Sequence, residues 1–161
     1  MGRTINLKEQ IMKIVLLNTH DLQGGAARAA YRLHQGLQSI GLDSQMLVQT
    51  KISDARTVIG SDTKLEKGWK KIRPILATIP LQLYPNRDRV PYSVSWLPSK
   101  ITSKIKFIAP DVINLHWIGG GYFPIEAIAK FKKPVVWTLH DMWAFTGGCH
   151  YSGECDRYTL S

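Results

Sequence analysis

Three histidines of this chain each stand near the end of a short apolar run and precede polar or glycine-rich residues. They are His20 in THDLQGG, His116 in HWIGGG and His140 in HDMWAFTGG. An imidazole can donate and accept hydrogen bonds and can exchange a proton near neutral pH. If the apolar runs are parallel strands, these loops lie beyond the carboxyl ends of the strands, where open sheets bind ligands. The spacing therefore predicts one polar site assembled from several loops.

His140 and Asp141 are the residues of this set that we expect to act in catalysis. The imidazole of His140 could hydrogen-bond a hydroxyl or phosphate of a ligand, while Asp141 fixes its tautomer. The structural alternative is that Asp141 caps the next helix beside a packed imidazole. For His116, a ligand-facing role and a buried role at the end of a strand both stay open. We expect His20 and His34 to be structural.

Gly24 and Gly25 precede a helical pattern that begins with small alanines. Free N–H groups at a helix N-terminus attract phosphate, and glycine lets a ligand approach the backbone closely. The spacing is neither GxGxxG nor GK[ST], and no acidic residue closes the following strand, so a standard dinucleotide site or P-loop is not indicated. We favour an anion site here over a tight turn that merely needs a positive φ.

Cys149, His150 and Cys155 form a C-x5-C pair with one histidine. A structural zinc site normally has four ligands, and this group supplies at most three. A disulfide would close only a small loop and is disfavoured in a reducing compartment. We therefore expect free thiols, no metal site and no cofactor. A zinc-stabilised interaction domain is a rival hypothesis that metal analysis would decide.

The elements around these residues alternate between strand and helix. Strands are expected at residues 12–18, 44–50, 111–117 and 134–139, and helices at 26–40, 64–72, 74–84, 99–108 and 123–131. The apolar face of the first helix should comprise Ala26, Ala29, Ala30, Leu33, Leu37 and Ile40. Solidly apolar strands that alternate with helices predict an α/β, Rossmann-like fold, with a mostly parallel sheet and helices on both faces.

The formal net charge of +9 is concentrated in one internal segment. Residues 64–106 contain ten Lys and Arg against two Asp and Glu, and the chain on either side is nearly neutral. A basic helix that also carries Trp69 and several Ile and Leu is typical of a membrane-surface element on anionic lipid. A merely solvated face is the alternative, and no nucleic-acid-binding motif is present. The expected membrane or anion face consists of Lys64, Lys67, Lys70, Lys71 and Arg73.

Length and composition exclude several classes of protein. No apolar run reaches the roughly 20 residues of a membrane span, and the first ten residues lack the apolar core of a secretory signal. Two cysteines exclude a disulfide-dense secreted scaffold. We therefore expect a cytoplasmic protein that is peripheral at the inner face of the membrane if its basic segment binds lipid. Residues 1–11 should be an N-terminal extension to a domain over residues 12–161.

Three segments resemble the N-terminal domain of family 4 retaining glycosyltransferases of the GT-B fold. They are MKIVLLNTHDLQGGAARAAYRLHQGLQSIGLDSQMLV, PDVINLHWIGGGYFP and KPVVWTLHDMWAFTGGCHYSGECDRY. The resemblance is near-continuous over residues 12–50 and 110–158 and loose over 51–109. It implies the acceptor-side half of an enzyme whose second Rossmann-like domain binds the nucleotide-sugar.

On the donor side, the resemblance implies that Gly24 and Gly25 lie under the donor diphosphate or near the transferred sugar. It implies that His140, and less directly Asp141, reach that sugar. The resemblance also implies metal-independent transfer, in which the departing phosphate assists attack by the acceptor on the same face of the sugar.

On the acceptor side, the resemblance implies that His116, Gly119 and Gly120 shape the site for a glycan or a lipid-linked acceptor. The corresponding pathway would be polysaccharide or glycoconjugate synthesis.

The carboxylate pair of the family's second domain, E-x7-E, has no counterpart in this chain. We therefore expect a C-terminally truncated enzyme from which the donor-binding domain is absent. The isolated 161 residues should neither transfer sugar nor bind a nucleotide-sugar tightly. The alternative is a stand-alone nucleotide-binding or regulatory Rossmann-like module without catalysis, which would need a complete sheet and an acidic residue to bind ribose.

Overall fold

A single parallel sheet organises the molecule. The computed structural model describes residues 11–60, 64–83, 91–153 and 157–159. Within them the strands are β1 (Lys13–His20), β2 (Asp43–Thr50), β3 (Val58–Ile59), β4 (Val112–Leu115) and β5 (Val135–Trp137). All are parallel and lie in the order β3-β2-β1-β4-β5. The predicted Rossmann-like α/β class is confirmed. The expected N-terminal extension lies, apart from Ile11, outside the described residues.

The sheet has one apolar core on each face, because successive side chains of a strand point to opposite sides. In β1, Val15 and Leu17 belong to the core that contains Phe123, whereas Ile14 and Leu16 belong to the other core. The first core also takes buried residues from α3 (Ile101–Ile108) and α4 (Glu126–Ala129), and the second takes Ala30 from α1 (Gly25–Ser39). Helices therefore cover both faces, as predicted.

Helix α1 is rotated relative to the face that the sequence predicts. Its buried residues are Ala27, Ala30 and His34. The imidazole of His34 hydrogen-bonds the hydroxyl of Ser44 at 2.8 Å and that of Thr57 at 2.9 Å, and burial lowers the pKa of His34. This polar anchor turns the helix, so a prediction from apolar spacing alone was wrong in part. The predicted core residues that are instead exposed are Ala29, Leu33 and Ile40.

The middle of the chain forms one long helix where two were expected. Helix α2 runs over Lys64–Ala77 with Pro74 inside it, and a 3₁₀ helix follows over Ile79–Leu83. Proline removes one backbone hydrogen bond and usually kinks or ends a helix. Here α2 continues past it, with Ala77 buried one turn later.

The strand β5 forms one edge of the sheet and is only partly covered. Its side chains Val135 and Val136 are 38% and 53% exposed. The strand has three residues, about half the length that its apolar run predicts. The short helix α5 (Trp143–Thr146) follows it, and the loop between β5 and α5 contains His140 and Asp141.

Candidate functional site

The polar loops meet where the strand order reverses. From β1 the chain moves outward to β2 and β3, and then crosses to β4 on the other side of β1. The loops after β1 and β4 are joined there. The Thr19 N–H donates to the carbonyl of Trp117 at 2.8 Å, and the Trp117 N–H donates to Oδ1 of Asn18 at 2.8 Å. Ligands of open α/β sheets bind at such switch points.

His116 and His140 form a stacked pair at the ends of β4 and β5. The Nδ1 of His116 lies 2.9 Å from the Nε2 of His140, and the ring centroids are 5.2 Å apart. His116 is 3% exposed, whereas His140 reaches solvent. Burial and, secondarily, the nearby His140 lower the pKa of His116 to about 4. Burial also lowers the pKa of His140, against an opposing effect of Asp141. Both rings are therefore neutral at pH 7.

The carboxylate of Asp141 is held by three protein groups. Its Oδ2 accepts the Nε1–H of Trp117 at 2.9 Å and pairs with Nδ1 of His150 at 2.5 Å. Its Oδ1 accepts the backbone N–H of Trp143 at 3.0 Å, at the start of α5. Asp141 thus fixes the loop after β5 to the loop after β4. Its oxygen atoms are used in these contacts, and among the described residues no hydrogen bond joins them to the His140 ring.

Two residues that the sequence did not assign to this site complete the network. His150 is 6% exposed, and its Nε2 lies 2.8 Å from the hydroxyl of Ser93, which is also buried. The carbonyl of Ser93 accepts the Nε1–H of Trp143 at 2.9 Å. In the sequence, His150 lies between Cys149 and Cys155, and that position indicates only a possible metal ligand. Nothing in the local sequence singles out Ser93, which lies 57 residues from its partner.

A small cavity lies beside the histidine pair. It has a volume of about 10 Å³, which is room for a single water molecule. The Nε2 of His116 is buried without a hydrogen-bond partner among the described residues, so a water there could satisfy it. The residues that line the cavity include His116, Trp117, Trp137, His140 and Asp141.

The glycines after β4 form a tightly held loop. The hydroxyl of Thr19 donates to the carbonyl of Gly119 at 2.8 Å. A Cβ on Gly119 would lie 2.8 Å from the Trp117 ring, so only glycine fits there. Gly120 and Gly121 have φ values of +66° and +74°, in the left-handed region that favours glycine. The structure therefore brings His116, Gly119 and Gly120 together at one strand end.

Gly24 and Gly25 lie where the loop after β1 meets α1, whereas His140 lies in the loop after β5, which is two strands away in the sheet. Both glycines are exposed, Gly24 has φ +94°, and no side chain caps the N-terminus of α1. Buried Asp21 secures the loop by accepting the N–H groups of Ile52 and Ser53. Burial alone would raise the pKa of Asp21, but these hydrogen bonds outweigh it and lower the pKa.

The prediction that Arg73 belongs to the membrane or anion face is wrong. It is 6% exposed, and its guanidinium donates to the backbone carbonyls of Gly121 and Pro98 at 2.7 Å. It is therefore a buried anchor and not part of a solvent-facing surface. The side chains of the other four residues of that face, Lys64, Lys67, Lys70 and Lys71, lie outside the described residues. In the part of the chain that the structure describes, no helix is long and apolar enough to cross a bilayer.

The cysteine motif is described only in part. Cys149 is a half-buried free cysteine, and Cys155 lies outside the described residues. Over the described ranges, no group of three or more His, Cys, Asp or Glu could hold a metal ion. The predicted absence of a metal site stays a prediction for the complete motif.

The parallel sheet and the polar loops at its switch point define a Rossmann-like α/β domain with a candidate ligand-binding edge at the ends of β1, β4 and β5. The model of one protein family, Glycosyltransferase Family 4, matches residues 23–158, which is most of the chain. The chain belongs to this family.

One curated relative is the candidate colanic acid biosynthesis glycosyl transferase WcaC of Escherichia coli (strain K12). The two are 26% identical over 156 residues. The alignment covers 91% of this chain but 38% of the relative, so the chain spans well under half of the relative's length. No solved structure matches the chain.

Proposed function

We propose that this chain is the acceptor-side domain of a retaining glycosyltransferase. The enzyme would move a sugar from a nucleotide-sugar to a glycan or lipid-linked acceptor in polysaccharide or glycoconjugate synthesis. Family membership and the name of the E. coli relative support this class of reaction. The observation that carries the proposal is the His116–His140 pair, which lies beside the Gly119–Gly120 loop at the switch point of the sheet.

His140 is the residue that contacts the sugar in this proposal. His116 engages its Nε2 and stacks against its ring, so the exposed imidazole is held in one orientation with Nδ1 left for a ligand. Because its pKa is lowered, the ring offers a neutral hydrogen bond at pH 7, which suits a sugar hydroxyl. Asp141 acts through position: it holds the loop that carries His140. The contribution to rate is orientation of the reacting groups.

Gly24 and Gly25 serve the donor in this proposal. The uncapped N-terminus of α1 presents backbone N–H groups that stabilise the negative charge of the leaving diphosphate. That phosphate assists the acceptor on the same face of the sugar, which gives retention without a metal. The nucleotide itself is bound by a second domain. The carboxylate pair of the family's second domain, E-x7-E, has no counterpart in this chain. We therefore expect the 161 residues alone to be inactive.

Nuclear magnetic resonance titration of the chain tests these roles separately. A soluble polyprenyl-phosphate-linked sugar should shift the ring signals of His140 and the amide signals of Gly119 and Gly120. A nucleotide-sugar should bind weakly and affect mainly Gly24 and Gly25. His140→Ala should remove the acceptor response, and Tyr151→Phe, at a residue 62% exposed, should keep it.

Three results would contradict the proposal. Tight binding of a nucleotide-sugar with no response to the acceptor would indicate the alternative, a nucleotide-binding module. Transfer of a radiolabelled sugar by the isolated chain would show that the donor half is not required. A large loss of thermal stability in His140→Ala would favour the packed-histidine interpretation.

We also propose that the protein is cytoplasmic and binds the inner face of the membrane through the segment 64–83. Its formal charge is positive, and five of its apolar side chains are exposed: Trp69, Ile72, Ile75, Ile79 and Leu83. Co-sedimentation with vesicles of phosphatidylglycerol and phosphatidylcholine should show binding that needs the anionic lipid and weakens with salt. Binding that ignores both lipid charge and salt would exclude this surface as an electrostatic membrane site.

A further inference from the structure

Arg73 is a buried cation with no carboxylate partner among the described residues. In the part of the chain that the structure describes, its partners are backbone carbonyls alone: Gly121 and Pro98 at 2.7 Å, and Leu97 and Tyr122 at 3.2 Å. Burial of a charge is costly, and the hydrogen bonds to these four carbonyls offset that cost. What the guanidinium adds is geometry, because its fork of donors joins two separate loops to α2.

One of these loops is the glycine loop of the acceptor site, over residues 119–122. Its first half is held by Thr19, which donates to the carbonyl of Gly119. Its second half is held by Arg73, which donates to the carbonyls of Gly121 and Tyr122. A Cβ on Gly121 would lie 3.1 Å from the carbonyl oxygen of Arg73 and 3.1 Å from Ala77. Helix α2 therefore packs directly on the loop, and a shift of the helix must move the loop.

The side of α2 that is not packed on this loop exposes a row of apolar residues that continues into the 3₁₀ helix. Trp69, Ile72 and Ile75 are 45%, 48% and 68% exposed, and Ile79 and Leu83 are 45% and 80% exposed. Four lysines and Arg73 against one glutamate give residues 64–83 a formal charge of +4. An apolar row with tryptophan in a cationic helix complements a bilayer of anionic lipid. One helix thus contacts the acceptor loop and presents a membrane-binding surface.

We propose that Arg73 is a positioning residue that couples the membrane-bound helix α2 to the acceptor loop. When α2 lies on an anionic bilayer, Arg73 fixes residues 119–122 at a set height above the surface, where a lipid-linked acceptor presents its sugar. The inference rests on the membrane association and lipid-linked acceptor proposed above. It adds that Arg73 is the residue through which membrane binding by α2 affects the acceptor loop.

Hydrogen–deuterium exchange of the protein with and without vesicles of equimolar phosphatidylglycerol and phosphatidylcholine tests the coupling. In the wild-type protein, vesicles should slow exchange both in α2 and in residues 119–122, the latter by roughly five-fold or more. Arg73→Lys keeps the charge but cannot reach all four carbonyls. It should retain vesicle binding and slowed exchange in α2, and should lose the slowed exchange in the loop.

Two exposed apolar residues provide matched variants. Ile75→Ser should abolish vesicle binding and the effects on helix and loop together. Ile40→Ser, at a residue 72% exposed at the end of α1 on the other face of the sheet, should change none of them.

Three results of the vesicle-binding and exchange experiments would count against the proposal, each in a different way. Absence of vesicle binding by the wild-type protein would refute the proposed membrane association and the coupling with it. Vesicle binding with no change in the wild-type loop would refute the coupling alone, even if Arg73→Lys fails to fold. A loop response that persists in a folded Arg73→Lys protein would show that Arg73 does not transmit it.

Discussion

Lowering the pH from 7 to 5 should destabilise this protein, largely because His116 is buried in its neutral form. Its pKa is about 4 in the folded protein and 6.5 when unperturbed. As the pH falls, His116 therefore gains its proton at a higher pH in the unfolded chain than in the folded protein. The stabilisation is complete above pH 6.5 and is lost as the pH falls towards 4. The difference between the two pKa values corresponds to about 3 kcal/mol in full, of which about 2 kcal/mol is lost between pH 7 and pH 5.

Urea unfolding followed by tryptophan fluorescence measures this loss. The free energy of unfolding of the wild-type protein is compared with that of His116→Gln at both pH values. Whatever its absolute stability, the variant should lose about 2 kcal/mol less than the wild type on acidification. His20→Gln replaces a less buried imidazole whose pKa burial also lowers, so it should reduce the pH dependence by a smaller amount.

Equal pH dependence in His116→Gln and in the wild type would refute this reasoning. So would a direct titration of the ring signals in which His116 gains its proton near pH 6.5. Either result would mean that the burial of His116 and its contact with His140 do not oppose its charge.

Four further substitutions should change the free energy of unfolding in urea. Leu17→Ala removes a fully buried side chain from the larger core and should cost about 2–5 kcal/mol, whereas Leu33→Ala, 40% exposed, should stay within about 0.5 kcal/mol. Asp21→Asn weakens the set of N–H bonds that holds the loop after β1 and should cost about 1–3 kcal/mol; no loss would mean that the charge is not needed there. Gly121→Ala should cost about 1–3 kcal/mol because φ is +74° and α2 is in contact, whereas Gly36→Ala, inside α1 with open space around its Cβ, should stabilise by about 0.5–1 kcal/mol.

The early part of the fold follows closely from local sequence. The strands β1 and β2 and the helix α1 begin and end within about two residues of expectation, because apolar runs and flanking glycines define them. The rotation of α1 could not be predicted in this way. It depends on Ser44 and Thr57, which lie 10 and 23 residues beyond His34 and meet it only after the sheet forms.

The candidate site was predicted in outline for a topological reason. Polar residues at the ends of parallel strands must share one edge, so His116, His140 and Asp141 could be grouped from the sequence. Their individual contacts depend on distant partners. Nothing near Asp141 in the sequence indicates that Trp117, 24 residues away, uses its carboxylate.

Arg73 was misplaced for the same reason. A cation among lysines normally lies on a solvated face, and its carbonyl partners lie 24 to 49 residues further along the chain. Local charge patterns carry no information about such long-range acceptors.

The position of β1 between β2 and β4 has a consequence for how the protein is made. Lys13 and Asp111, joined by a hydrogen bond at the start of these strands, are 98 residues apart. Ribosomes add about 5–20 residues per second, so β1 waits roughly 5–20 seconds for β4. During that time β1, β2, β3 and α1 can assemble, but one side of β1 has no partner. The central strand of the finished sheet is therefore an edge strand during much of the synthesis of the chain. We expect chaperones to bind its unpaired edge in that period.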